Sequence, residues 1–301
     1  MKFFDVQEEY KKNKDLRAED IRALQEWAQK LPHMPQISEH RLILFLHRWH
    51  WSLELAKLAI EKFVTCRAAW ADFFGGCNPL QPEIIQEMSQ HLMAFLPTKA
   101  SDGSKILYMK MLVPDSASLN PKAAIKLFDM VITLELMEKG TFDDMVVVCD
   151  TTKVEASHLA KTSVRDTKRY LLYMQDALPV RLTSMHWIVP TGIQELFIPL
   201  VKPFIKKGLS QSLHFHNSYE ALFRYCPREL FPKEVGGEGP GLAQLHEAMQ
   251  RSLIQSADLF GDEEKLVANE ALRDRRHLCM DPDLELGIDG SLLNQPKSIP
   301  S

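Results

Sequence analysis

Residues 145–150, Met145-Val146-Val147-Val148-Cys149-Asp150, give the clearest strand signal in the chain. A short β-branched run that ends on a polar residue is typical of a strand covered on both faces. On either side the pattern predicts further strands at Ile106–Val113, Thr183–Val189 and Leu213–Phe215. Helices are expected between them, at Asn120–Gly140, Leu159–Ala177 and Ile193–Ile205. Strand and helix alternate, which predicts crossover connections and an α/β fold with a mostly parallel sheet.

The amino-terminal third has a different pattern. Residues 14–95 read as successive helices with no convincing strand, and Asp15, Asp20 and Ser38 are suitable helix starts. The break from Pro97 to Gly103 marks the expected domain boundary. We therefore predict a small all-helical lobe over residues 1–96, an α/β domain over 97–260, and a partly disordered carboxy-terminal tail over 261–301.

Composition excludes several classes of protein. The 301 residues are 45% hydrophobic, and 36 Lys+Arg against 40 Asp+Glu give a net charge of −4. The chain can therefore bury a hydrophobic core. It has no excess of positive charge that would attract nucleic acid. Five cysteines without paired spacing indicate free thiols in a reducing compartment. With neither a secretory signal nor an apolar run of membrane-spanning length, a cytoplasmic location is expected.

The sequence shows no convincing catalytic or metal site. The glycine-rich segment 236–241 lacks the strand and the Lys-Ser/Thr ending of a phosphate loop. Cys149 ends a strand but lies in a valine run, which favours a small buried hydrophobe. The pairs His47/His50 and His214/His216 could each share a face, yet no Cys or carboxylate joins either pair at ligand spacing. We expect no catalytic residue, no metal and no cofactor.

Two segments are unusually apolar. The second half of helix Asn120–Gly140 carries apolar residues on nearly every side. The segment from Trp187 to Val201 is equally rich in apolar residues, and Pro199 lies inside its helical pattern. A helix that is apolar on every side must be covered on every side. Either the core is large, or an apolar molecule is held inside.

Several motifs in these regions resemble the CRAL-TRIO family, which includes alpha-tocopherol transfer protein and cellular retinaldehyde-binding protein. They follow in the family's order: 45–56, Leu178–Leu182, His186–Ile188, Leu200–Ile205, His214–Asn217 and Leu230–Gly237. The likeness covers about residues 15–250 and is strongest to the insect members.

This resemblance implies a carrier rather than an enzyme. Members hold one hydrophobic molecule between the sheet floor and flanking helices, under a mobile gate helix that meets membranes transiently. A monomer is expected, with the lipid and a membrane surface as partners. The alternative is a signalling or scaffold module that senses lipid with the same pocket, and an enzyme acting on a bound lipid ranks third.

The resemblance also assigns residues. The pocket residues it implies are Leu127, Met130, Val131, Leu134, Met145, Val147, Cys149, Tyr173, Leu178, Val180, Met185 and Trp187. The gate residues are Gln194, Phe197, Ile198, Leu200 and Val201. The residues that would contact a phosphoinositide or the membrane are Arg181, Lys206 and Lys207.

Departures from the family pattern restrict the ligand. Met130 and Leu134 replace two serines of the tocopherol carrier, which removes hydroxyl groups from the expected pocket. This favours a ligand of low polarity, such as a carotenoid, retinoid, tocopherol or other isoprenoid. Of the basic residues that bind a phosphoinositide headgroup in the tocopherol carrier, only part remains here, so weak phosphoinositide contact is expected. Acidification to near pH 6 is expected to add charge through His47 and His50.

Overall fold

The computed structural model describes residues 3–274, and the chain begins with a lobe of six helices. They are α1 Val6–Lys12, α2 Ala18–Gln29, α3 Glu39–Arg48, α4 Leu53–Ala69, α5 Ala71–Phe74 and α6 Pro82–Gln90. Serine side chains begin two of them. Ser38 Oγ accepts from the backbone N–H of Arg41 at 3.4 Å, and Ser52 Oγ accepts from that of Leu55 at 3.4 Å. These caps satisfy N–H groups that have no partner within the helix.

The second part of the chain is built on one five-stranded sheet. Its strands are β1 His91–Phe95, β2 Lys105–Met111, β3 Met145–Asp150, β4 Leu182–Ile188 and β5 Leu213–His216. They lie side by side in chain order. The β1–β2 pair is antiparallel, and the other three pairs are parallel. The α/β fold with a mostly parallel sheet is confirmed.

Helices connect the strands and continue beyond them. They are α7 Pro121–Lys139, α8 Ala156–Leu159, α9 Val164–Asp176, α10 Gln194–Val201, α11 Lys207–Ser210, α12 Tyr219–Leu222, α13 Leu242–Gln255 and α14 Ala257–Glu263. Short 3₁₀ turns lie at Lys202–Phe204, Arg228–Leu230, Lys233–Val235 and Glu270–Leu272.

The bounds of α7 follow from its end residues, as the sequence predicts. The side chain of Asn120 accepts from the backbone N–H of Ala123 at 3.2 Å, and Pro121 occupies the first turn. Gly140 ends the helix with a φ of +74°, which a residue with a Cβ adopts only with strain.

Three expectations about the elements were wrong. β1 lies within the segment expected to hold no strand, so the sheet begins before residue 97. The helix expected over Leu159–Ala177 begins only at Val164, because Ser163 caps α9 by accepting from the N–H of Asp166 at 3.1 Å, and the short helix α8 before it ends at Leu159. The helix expected over Ile193–Ile205 ends as α-helix at Val201 and continues as a 3₁₀ turn.

The carboxy-terminal segment returns to the helical lobe. In α14, Glu263 accepts from Arg41 Nε at 3.1 Å. Beyond it, the N–H of Ala268 donates to the carbonyl of Val64 at 3.0 Å, and Arg273 donates to Thr65 Oγ1 at 2.6 Å. The expected tail therefore packs on the lobe as far as residue 274, and its remainder, with Cys279, lies outside the described residues.

Within residues 3–274, no helix combines the length and the apolar character that crossing a bilayer would require.

Candidate functional site

The main cavity lies between one face of the sheet and helices α7, α9 and α10, and its volume is about 320 Å³. Its surface is predominantly apolar. The walls are formed by Met93, Met109, Leu119, Pro121, Ala124, Ile125, Phe128, Val147, Cys149, Thr162, Ser163, Asp166, Thr167, Tyr170, Leu171, Met174, Met185, Trp187, Phe197 and Val201.

The sheet register explains the floor of this cavity. Met93 pairs with Met109, Met109 with Cys149, and Cys149 with Trp187, so the four residues form one row across β1 to β4. Cα partners in neighbouring strands carry their side chains on the same face of the sheet. The Cys149 Sγ atom lies 3.6 Å from the Met109 Sδ atom. The floor is therefore a strip of sulfur-containing and aromatic side chains.

Four of the twelve residues assigned to the pocket by resemblance lie in this cavity: Val147, Cys149, Met185 and Trp187. All four belong to β3 and β4. Met145, Tyr173, Leu178 and Val180 are buried but are not among the residues that line the cavity. Tyr173 instead packs against the helical lobe, with its ring centroid 4.6 Å from that of Phe74.

Helix α7 turns a different face to the cavity from the one assigned. The lining residues are Pro121, Ala124, Ile125 and Phe128, in its first two turns. Leu127 and Met130 are fully buried without lining any of the described cavities. Val131 and Leu134 line a separate crevice between α7, α13 and β1.

The resemblance assigned only one residue of α9, Tyr173, yet this helix supplies much of the cavity wall. Tyr170, Leu171 and Met174 line the cavity at three- and four-residue spacing, and the polar residues Ser163 and Asp166 lie near the helix start. The signal that could have found them is this spacing, which is typical of one helix face.

The buried Tyr170 hydroxyl has no hydrogen-bond partner among the described residues, and burial raises its pKa well above the usual value. Tyr170 lines the cavity, but its hydroxyl oxygen is covered by protein and interacts with the buried charges of Asp129 and Arg67.

The predicted gate segment forms α10, and two of its residues line the cavity. Phe197 and Val201 face inward, and the Phe197 ring centroid lies 6.0 Å from that of Trp187. The side-chain amide of Gln194 donates to the carbonyl of Val189 at 3.1 Å. Ile198 and Leu200 are half-buried and are not among the lining residues. Leu196, by contrast, is 53% exposed on the outer side of the helix.

Two of the three assigned basic residues pair with carboxylates. Arg181 donates from Nη2 to Asp143 Oδ1 at 3.1 Å and contacts His50 Nδ1 at 3.0 Å. Lys206 pairs with Asp176 at 2.5 Å, and Lys207 begins α11 next to it. Because these carboxylates already neutralise two of the three cations, an anionic headgroup would have to displace them.

His47 lies beside Arg181 but does not gain charge near pH 6. Burial, reinforced by the positive charge of Arg181, lowers the pKa of His47 to about 4. The expectation that acidification to pH 6 charges this residue is therefore wrong.

A second histidine group lies on the sheet face opposite the cavity. His186 stacks on His216 with ring centroids 5.2 Å apart, and His186 Nδ1 lies 2.9 Å from His216 Nε2. His214 and Tyr225 complete the group, and Ser184 Oγ lies 3.2 Å from His186 Nε2. Burial and the two neighbouring imidazoles lower the pKa of His186 to about 3, and burial lowers that of His216 to about 4.

The low pKa values of this histidine group predict that the folded protein loses stability in acid. An imidazole in the unfolded chain has a pKa of about 6.5, so between pH 6.5 and 4 the unfolded state binds more protons than the folded state. The stabilising contribution is complete above pH 6.5 and is lost as the pH falls towards 4. We expect His186→Phe, which keeps a stacked ring without a titrating group, to lose less stability than the native protein between neutral pH and about pH 4.5. Urea unfolding at both pH values measures this, and an equal loss in both proteins would contradict it.

Among residues 3–274, no three His, Cys, Asp or Glu side chains are placed to hold a metal ion. The cavity thiol is also unsuited to nucleophilic chemistry, since burial raises the pKa of Cys149 to about 12.

Comparison with known proteins gives matches over both parts of the chain. Residues 89–237 match the CRAL/TRIO domain, and residues 13–84 match the Pinta-like UBA domain. The "Alpha-tocopherol transfer protein-like" proteins of Homo sapiens and Mus musculus are each 23% identical over 240 residues, which is 77% of this chain and 68% of theirs.

Among solved structures, the chain is similar to the crystal structure of Sfh5. The TM-score is 0.50 at 13% identity, over 86% of this chain and 99% of that one. At this identity the likeness concerns the fold alone. The sheet with its apolar cavity, the domain match and the curated relatives agree, and the chain belongs to the CRAL-TRIO family.

Proposed function

We propose that this protein binds one small hydrophobic lipid in the main cavity and transfers it between membranes. The cavity carries the proposal, because it lies between the sheet and three helices and its lining is predominantly apolar. Such an interior favours transfer of an apolar molecule out of water. The names of the curated relatives, which refer to tocopherol transfer, support the same function.

The size and chemistry of the cavity support an unsaturated isoprenoid. Its volume of about 320 Å³ lies at the small end of ligand pockets. This fits a ligand of the size of a retinoid better than a carotenoid. Four methionines and Cys149 line it, and polarizable sulfur atoms make favourable contacts with π systems.

We further propose that no chemical step occurs on the ligand. The protonated Cys149 is a poor nucleophile, and the Tyr170 hydroxyl is a neutral hydrogen-bond donor. Recovery of chemically unchanged ligand after incubation would agree with this, and a converted product would contradict it.

Helix α10 is the proposed gate, with an inner and an outer side. Phe197 covers the cavity, while Leu196 points outward and would enter the lipid surface. We expect Leu196→Asp to slow transfer between vesicles about tenfold with little change in equilibrium binding, because the side chain does not contact the ligand.

The matched variant Phe197→Ala should weaken equilibrium binding, because Phe197 lines the cavity. Both quantities are measured with labelled retinol or tocopherol in phosphatidylcholine vesicles. Equal effects of the two variants on binding would show that α10 is only a cavity wall. Tight binding by the native protein without any acceleration of transfer would favour the lipid-sensing alternative.

A further inference from the structure

A crevice next to the main cavity offers a second place for an apolar chain. It lies between α7, α13 and the edge strand β1, and its volume is about 210 Å³. Its walls include Phe95, Val131, Leu134, Leu245, Met249 and Leu253. Helix α13 is held there partly by Gln250, whose side-chain amide donates to the carbonyl of Met88 at 3.2 Å.

The crevice continues the main cavity along the same helix. Phe128 of α7 lines the cavity and Val131 lines the crevice. Three residues of an α-helix advance by about 4.5 Å, so the two spaces are one helical turn apart. On β1, Phe95 lines the crevice and has its side chain on the same sheet face as Met93, because they are two residues apart.

Met93 is the residue common to both spaces. Its side chain is 2% exposed, and it is the β1 end of the sulfur-rich row on the cavity floor. Methionine is unbranched and adopts several rotamers at small cost. A rotation of this side chain can therefore join or separate the two spaces without moving the backbone.

We propose that Met93 is a flexible partition in one ligand channel, and that the crevice is a subsite for the far end of a longer isoprenoid chain. The inference rests on the proposed lipid-binding function. In this proposal Val131 and Leu134, which line the crevice and not the main cavity, contact the far end of a long ligand. The outer rim of the crevice carries Glu135, which pairs with Lys105, so a polar group could end the chain there.

The test is a length series of prenyl alcohols with three, four and five isoprene units. Their partition from phosphatidylcholine vesicles to the protein gives relative affinities at constant head group. We expect Met93→Ala to raise the affinity for the longest alcohol relative to the shortest by about tenfold, since the additional carbons are then buried in the crevice. Met93→Phe, which puts a stiff ring at the partition, should lower the same ratio.

Two controls separate the partition from a general enlargement of the cavity. Met109→Ala removes the neighbouring methionine of the same row, which lines the cavity but not the crevice, and should raise the ratio much less than Met93→Ala does. Adding Ser252→Phe to Met93→Ala narrows the crevice from α13 and should reverse the gain. Thermal unfolding establishes that each variant is folded.

Equal ratios in Met93→Ala and Met109→Ala, or a gain that survives Ser252→Phe, would overturn the assignment of Met93 and the crevice. A native protein that takes up no alcohol of any length would instead count against the proposed lipid-binding function itself.

Discussion

Replacing Ala124 with phenylalanine should weaken ligand binding by about 100-fold while leaving the protein folded. Ala124 is half-buried in the second turn of α7 and lines the main cavity. The added ring would occupy space in a cavity of about 320 Å³ that the ligand needs. The atoms of a closely packed interior move little to make room for an added group. Equilibrium binding of retinol or tocopherol measures the loss, and thermal unfolding establishes that the variant is folded.

Ala243→Phe is the matched control, because Ala243 is an exposed helical alanine on α13 outside both the cavity and the crevice. It should bind like the native protein. Undiminished binding by Ala124→Phe would place the ligand elsewhere in the molecule.

Arg67→Met should lower the free energy of unfolding by about 3–5 kcal/mol. Arg67 joins the helical lobe to the sheet domain, since its Nη1 donates to Asp129 Oδ2 of α7 at 3.1 Å. Both side chains are almost completely buried. Burial raises the pKa of Asp129 against the opposing effect of Arg67. Without the guanidinium, Asp129 must either remain charged in an apolar interior or take up a proton, and both cost free energy.

The double variant Arg67→Met with Asp129→Leu should recover most of this loss, because it removes both charges and keeps the volume. Urea unfolding of the native protein and of the single and double variants measures the effect. A single variant within about 1 kcal/mol of the native protein, or a double variant less stable than the single one, would show that the pair does not hold the two lobes together.

Local signals predicted the elements of the sheet domain well. The ends of α7 could be placed because Asn120, Pro121 and Gly140 act on their own helix ends and need no tertiary contact. β3 was found because its valine run is buried on both faces of the sheet. β1 was missed because it follows α6 directly at His91, and its strand conformation depends on antiparallel pairing with β2, which is a tertiary contact.

The resemblance assigned the pocket residues, and its strand and helix assignments differ in outcome. Side chains alternate along a strand, so the assigned Val147 and Cys149 share one face of β3, and both line the cavity. On α7 the apolar residues surround the helix, so no periodicity indicates which side meets the cavity. The resemblance chose the face of Leu127, Met130 and Leu134, whereas Ala124 and Phe128 line the cavity.

The return of the carboxy-terminal segment to the helical lobe affects how the chain is made. The lobe leaves the ribosome first, but Arg41 and Glu61 receive their partners Glu263 and Arg273 only 222 and 212 residues later. At about 5–20 residues per second this is a delay on the order of 10–40 s. During that time Arg41, which is buried in the finished protein, lacks its carboxylate partner, whereas Glu61 can pair with His33 inside the lobe. The lobe is therefore expected to complete its folding after translation, together with the last segment that packs on it.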